Sequence, residues 1–180
     1  MITKNLNVIL ILFFQMMSLT AFSQKKAELN SLLDKNNEFV FPQTASKISK
    51  ALNTKTVYYE DANDEKYAKW LPKSGLEVYC SIGNDDLVNE IFFDVADDKV
   101  LIIEGLPYNL ALNKTTLQES KTKFKKYNAE HEKLGEDTSF SGGSKLIFKN
   151  GKYYTTLIFD SKDLLKFIGI TTELVPAGAG

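Results

Sequence analysis

Cys80, His131 and a scatter of aspartates are the side chains in this sequence best suited to chemistry. Their spacing argues against it. A zinc set needs several His or Cys ligands close together. His131 is the single histidine, in Glu130-His-Glu132 at what reads as the exposed end of a charged helix. Cys80 is the single cysteine, in Leu76-Glu-Val-Tyr-Cys-Ser-Ile82, so no intramolecular disulfide can form. The alternation there puts the thiol on the apolar side of a strand, as a small buried hydrophobe. Asp94, Asp97 and Asp98, and the pair Asp85-Asp86, fall at hairpin turns, where Asp is favoured because it caps turn backbone. A carboxylate-dependent hydrolase near 94–98 is the enzymatic reading they leave. Asp61-x-Asn63-x-Glu65 opens like a calcium loop, but Lys66 stands where glycine is required and Pro72 where the closing acid belongs. Ser141-Gly-Gly-Ser144 precedes neither a Lys-Ser/Thr pair nor a helix and reads as a linker. The expectation is a non-enzymatic protein with no cofactor and no metal.

The aromatic residues point elsewhere. Neighbours on a strand face opposite ways. If Val78 and Cys80 face the helices, Tyr79 faces away from them. Ile91, Phe93 and Val95 share one face and leave Phe92 on the other. Tyr153, Thr155, Leu157 and Phe159 likewise leave Tyr154 opposite, and Tyr58 and Tyr59 must diverge. A sheet covered on one side only would expose Tyr59, Tyr79, Phe92 and Tyr154, with Trp70 on the apolar edge of a nearby loop. Large aromatics among polar residues are the composition of a protein-binding surface. The competing reading is that the N-terminal helix or the Tyr67–Trp70 loop covers that face.

These side chains need elements to position them. Residues 24–36 read as a short polar helix, and Thr44 caps a second running to Leu52. Thr56–Glu60 is strand-like, and Asp61–Lys66 is a loop or the start of a short helix. Leu76–Ile82, Leu87–Val95 and Lys99–Glu104 form a three-strand meander. A further helix, capped by Asn113 or Thr115, carries Leu117, Ser120 or Lys121, and Phe124 inward and continues over 129–135. Lys145–Lys149 and Lys152–Asp160 flank Asn150-Gly151, a strong hairpin turn signal, and Leu164–Thr171 follows. Lys121, Lys123, Lys125 and Lys126 are diluted by Glu119, Glu130 and Glu132, which marks a solvated helix face.

The two halves echo each other. Asp86-Leu-Val-Asn-Glu-Ile-Phe-Phe93 matches Asp163-Leu-Leu-Lys-Phe-Ile-Gly-Ile170 at an offset of 77 (163 − 86), and Leu52 matches Phe124 at 72 (124 − 52). The expected fold class is α+β: two tandem helix-plus-antiparallel-strand units, residues 24–98 and 99–175, forming one sheet with helices packed on one face. A flexible tail is expected over 176–180.

Composition limits the partners. The 22 basic residues are all lysine, against 23 acidic ones, for a net charge of −1. That balance excludes nucleic acid as a general partner, and without arginine the bidentate reading of phosphates is lost. At the N-terminus, Lys4, the apolar run Val8–Phe14 and Ala21-Phe-Ser23 read as a secretory signal over residues 1–23, cleaved before Gln24. No cysteine stands at that site for lipidation. The mature chain is expected to be soluble, periplasmic or secreted, and not inserted in a membrane.

This layout, across about residues 38–171, resembles the β-lactamase inhibitor protein architecture and related small bacterial envelope proteins. Gly105-Leu-Pro-Tyr-Asn-Leu-Ala-Leu112 followed by Asn113–Glu119 also looks like the segment opening each unit in several bacterial immunity-type proteins. The resemblance implies a concave aromatic sheet that grips another protein, such as a toxin or an enzyme. An envelope structural or assembly factor is the rival expectation.

Overall fold

Apolar and polar residues alternate through β5 (Leu76–Ser81) and β7 (Ile91–Val95), and every apolar-phase residue of the two strands is buried. The computed structural model describes residues 24–174 apart from positions 63, 84, 85 and 97. The export signal expected over 1–23 and the tail expected over 176–180 lie outside the described residues. Around β5 and β7 stand β3 (Val57–Glu60), β4 (Lys66–Trp70), β10 (Glu130–Lys133), β11 (Ser144–Asn150), β12 (Tyr153–Phe159) and β13 (Leu165–Thr171). Together they form one eight-stranded sheet in the order β10-β11-β12-β13-β7-β5-β4-β3. Every neighbouring pair in it is antiparallel.

The chain builds this sheet from its two edges toward its middle. Helix α1 (Ala45–Ala51) precedes β3, β4, β5 and β7, and helix α2 (Leu117–Phe124) precedes β10 through β13. The two runs meet where β7 pairs with β13, with Ile91 opposite Ile170, Phe92 opposite Gly169 and Phe93 opposite Ile168. Each helix begins on a threonine whose hydroxyl accepts a backbone N–H three residues on, Thr44 from Lys47 and Thr116 from Glu119. Glu119 reaches back to the Thr116 N–H at 2.7 Å, completing a capping box.

One side of the sheet is covered. Ala68, Trp70, Val78, Phe93, Leu157 and Ile168 join a single core with Ile48 and Leu52 from the α1 region and Leu117 and Phe124 of α2. Helices supply only part of that cover. The rest comes from Ala27, Leu29 and Leu32, and from a small sheet in which β8 (Ile102–Leu106) pairs in parallel with β1 (Gln24–Lys26) and antiparallel with β9 (Leu110–Leu112). A third, two-stranded sheet joins β2 (Gln43–Thr44) to β6 (Leu87–Val88).

Several elements differ from the sequence-based expectation. Residues 24–36 hold strand β1 and a 3₁₀ turn at Asn30–Leu32, not a polar helix. Leu29 and Leu32 are drawn into the core there, and the chain gains more by burying them than by winding a solvated helix. Residues 66–70 are a strand, because Ala68 and Trp70 alternate inward. Residues 130–133 are a strand as well, paired with β11. The segment at 99–104 does not extend the meander. Its strand runs from Ile102 to Leu106 and belongs to the small sheet. The second helix is capped by Thr116, one residue beyond the expected Thr115, whose own hydroxyl accepts the Ala111 N–H at 2.9 Å.

Candidate protein-binding face

The alternation that buries Val78, Phe93 and Leu157 turns their neighbours the other way. Tyr79, Phe92, Phe167, Ile158, Ile147 and Tyr154 share the opposite face by register. All six are partly exposed and stand outside the core cluster. Neither expected cover lies on this face: Leu29 and Leu32 of the N-terminal segment pack in the core, and Tyr67–Trp70 is part of the sheet itself.

The aromatics form a ladder across the middle of the sheet. Tyr79 stacks on Phe92 with ring centroids 5.1 Å apart, and Phe92 on Phe167 at 5.9 Å. Gly169 makes this possible, because it puts no side chain between Phe92 and Phe167. Ile158 continues the row beside Phe167, and Tyr154 lies under the Lys149 ammonium at 4.8 Å from its ring centroid. Toward the other edge Tyr59 stacks on Tyr67 at 5.3 Å.

Charges frame this strip in pairs. Lys69 bonds Glu77 at 2.6 Å, Lys145 bonds Glu132 at 2.7 Å, and the Ser81 hydroxyl donates to Glu90. Burial pushes the Tyr79 hydroxyl up, with the Asp94 carboxylate adding to the effect. The Tyr67 hydroxyl is pushed up to about 12, chiefly by its 2.8 Å hydrogen bond to Glu65. Both phenols are neutral at physiological pH.

Of the five residues the sequence suggests for a partner, the structure brings Tyr79 and Phe92 into contact and sets Tyr154 and Tyr59 on the same face. Trp70 is a correction. It is 0 % exposed on the core side, and its indole N–H donates to the Thr56 hydroxyl at 2.9 Å. Its place in a strand, opposite Val78, turns it inward. Phe167 is a member of the ladder that sequence reasoning left unassigned. Phe167 and Gly169 alternate with Ile168 and Ile170, but a register shift at Ile158/Phe159 puts Leu165 on the core side, out of the simple alternation.

The residues that first suggested chemistry are dispersed. His131 stands exposed on edge strand β10 rather than on a helix, held below the ordinary histidine value by desolvation and by Lys121 and Lys133. Cys80 is buried, and that burial pushes its thiol up to about 12, which disfavours the thiolate. The Asp61 carboxylate accepts the Glu65 N–H at 2.9 Å and so closes a turn. Asp94 accepts the N–H of Val95 at 2.6 Å. Among the described residues, no three of His, Cys, Asp and Glu are grouped to hold a metal, and no helix is long and apolar enough to cross a membrane. Asp85 and Asp97 lie outside the described residues.

The geometry defines a sheet with a laddered, partly exposed aromatic face. No protein-family model matches the chain, and no curated protein is significantly similar to it. Among solved structures it is similar to a DUF4309 family protein (YjgB) from Bacillus subtilis subsp. subtilis str. 168. That similarity has a TM-score of 0.42 at 12% identity, over 80% of this chain and 84% of the other. A likeness of this degree assigns no activity.

Proposed function

We propose that this chain is an exported, non-enzymatic protein that binds and neutralises another protein, most concretely a periplasmic immunity protein against a secreted toxin. The observation that carries the reading is the stacked ladder Tyr79–Phe92–Phe167 on the partly exposed face. Rigid, half-buried aromatics lose little conformational freedom on docking and bring large contact areas, and so dominate the energetics of interfaces. Tyr59 and Tyr154 extend the surface. Export rests on the sequence pattern of residues 1–23.

A duplicated unit supports the reading, because duplication is how a small helix-plus-meander motif becomes a sheet wide enough to grip a protein surface. The two cap threonines are 72 residues apart (116 − 44), and each bridges a leucine, Leu87 and Leu164, that are 77 apart (164 − 87). Phe92 and Gly169, also 77 apart (169 − 92), face each other where the two runs meet. This is the relation expected of a local two-fold axis between equivalent strands. It is also the layout from which the β-lactamase inhibitor resemblance is drawn.

The test is affinity capture with the wild-type protein and a Tyr79→Ala/Phe92→Ala/Phe167→Ala variant. A stoichiometric toxin or enzyme held by the first and lost by a folded second supports the reading. Equal capture by both removes the ladder from it, and recovery of envelope assembly machinery replaces neutralisation with an assembly role.

A further inference from the structure

The eight-stranded sheet ends differently at its two edges. At one end β10 presents Glu130, His131, Glu132 and Lys133, all exposed, and charged edge residues discourage the addition of another strand. At the other end, among the described residues, β3 pairs with β4 alone. It carries Val57, Tyr58 and Tyr59, which are 54%, 64% and 41% exposed. This edge has no proline and no bulge to protect it.

An open groove of about 770 Å³ runs between α1 and β3, with Ser46, Ser49, Lys50, Lys55, Thr56 and Tyr58 along its sides. Its floor is held in place. The Ser49 hydroxyl donates to the Thr54 carbonyl, and Thr56 accepts the Trp70 indole N–H. The lining contains two ammonium groups, Lys50 and Lys55, and no carboxylate.

We infer that this edge and groove form a second binding site, which takes an extended acidic segment of a protein partner as an added strand on β3. Backbone hydrogen bonds to β3 supply the register, and alternate side chains supply the choice of sequence. Carboxylates on one side of the added strand descend into the groove toward Lys50 and Lys55. Apolar side chains on its other side lie beside Val57 and Tyr59. The site shares Tyr59 with the wider aromatic face but no residue with the ladder Tyr79–Phe92–Phe167, so the ladder and the Lys50/Lys55 groove can be disabled separately.

The test is an amide-resolved NMR titration of the protein with an octapeptide alternating Glu and Val, and with its counterpart alternating Lys and Val. The expected result is a set of shifts concentrated on 57–60 and 45–51 with the acidic peptide. A Lys50→Glu/Lys55→Glu variant, both positions being exposed, should weaken binding at least tenfold and retain the native spectrum. Silence at millimolar acidic peptide, equal binding of the lysine peptide, or shifts confined to Tyr79, Phe92 and Phe167 overturns the proposal. Shifts on 57–60 that follow protein concentration without peptide also overturn it, because the occupant is then a second copy. Capture of a partner by the ladder is read in a separate assay and is unaffected by any of these outcomes.

Discussion

The ring of Phe92 lies across the backbone of Gly169, its register partner on the neighbouring central strand. A Cβ at position 169 would meet Phe92 Cδ1 at 3.2 Å and Phe167 Cε1 at 3.0 Å. Glycine thus weakens the strand locally and lets two rings stack where a side chain would divide them.

Gly169→Ala should therefore push the rings apart. Overpacking of this kind costs about 1–3 kcal/mol, and one kcal/mol lowers Tm by roughly 2–4 °C at this chain length. Gly169→Val should cost more than alanine. Calorimetry of the two variants checks the order, and an unchanged Tm for Gly169→Val would refute the contact.

Phe92 and Phe93 are sequence neighbours on opposite faces, and they should separate function from folding. Phe93 is 0 % exposed, so Phe93→Ala should cost about 3–5 kcal/mol of stability. Phe92→Ala removes only ring stacking and partial burial and should cost about 1–2 kcal/mol. Its binding loss should be a hot-spot value of at least about 2 kcal/mol, or roughly thirtyfold in Kd. Urea titrations beside binding measurements with the captured partner decide it.

Cys80 predicts an alkaline limb. Its folded-state value of about 12 lies above the ordinary 9.0, because the buried site disfavours the thiolate. The stabilisation is complete below about pH 9. It is lost as pH rises toward 12, since the unfolded chain releases the proton first. Urea midpoints from pH 8 to 11 should fall more steeply for wild type than for Cys80→Ala. In the native state the thiol should resist iodoacetamide at pH 8 and react once urea unfolds the chain.

The two helix caps predict a graded pair. Thr44→Ala should cost about 1 kcal/mol, and Thr116→Ala somewhat more because Glu119 loses its reciprocal partner. The sites share no hydrogen-bond partner, so the double variant should show the sum of the two within about 0.5 kcal/mol. Chemical denaturation of the three variants measures it.

Where alternation was strict, the sequence could be read directly. Leu76–Ser81, Ile91–Val95 and Tyr153–Phe159 showed both their strand character and the face of each residue, because a sheet covered on one side writes that asymmetry into every second position. Polar edge strands were not legible. Glu130–Lys133 is as charged as a helix surface, and only its pairing to β11 makes it a strand. Lys66–Trp70 hid behind a loop-like composition, and so Trp70 was expected outside when it is a core residue. The small sheet was hidden for another reason. Its parallel pairing of Gln24–Lys26 with Ile102–Glu104 joins segments nearly eighty positions apart, and no local pattern encodes such a contact.

The charged β10 edge also limits what the protein can become at high concentration. A fibre of sheets needs two reactive ends on every subunit, as a polymer needs bifunctional monomers. With Glu130–Lys133 discouraging addition at one end, the large sheet keeps a single reactive end. Any strand that joins Val57–Glu60 terminates growth at a single addition. The large sheet can therefore leave the β3 edge open while end-to-end stacking of sheets is disfavoured at the other edge.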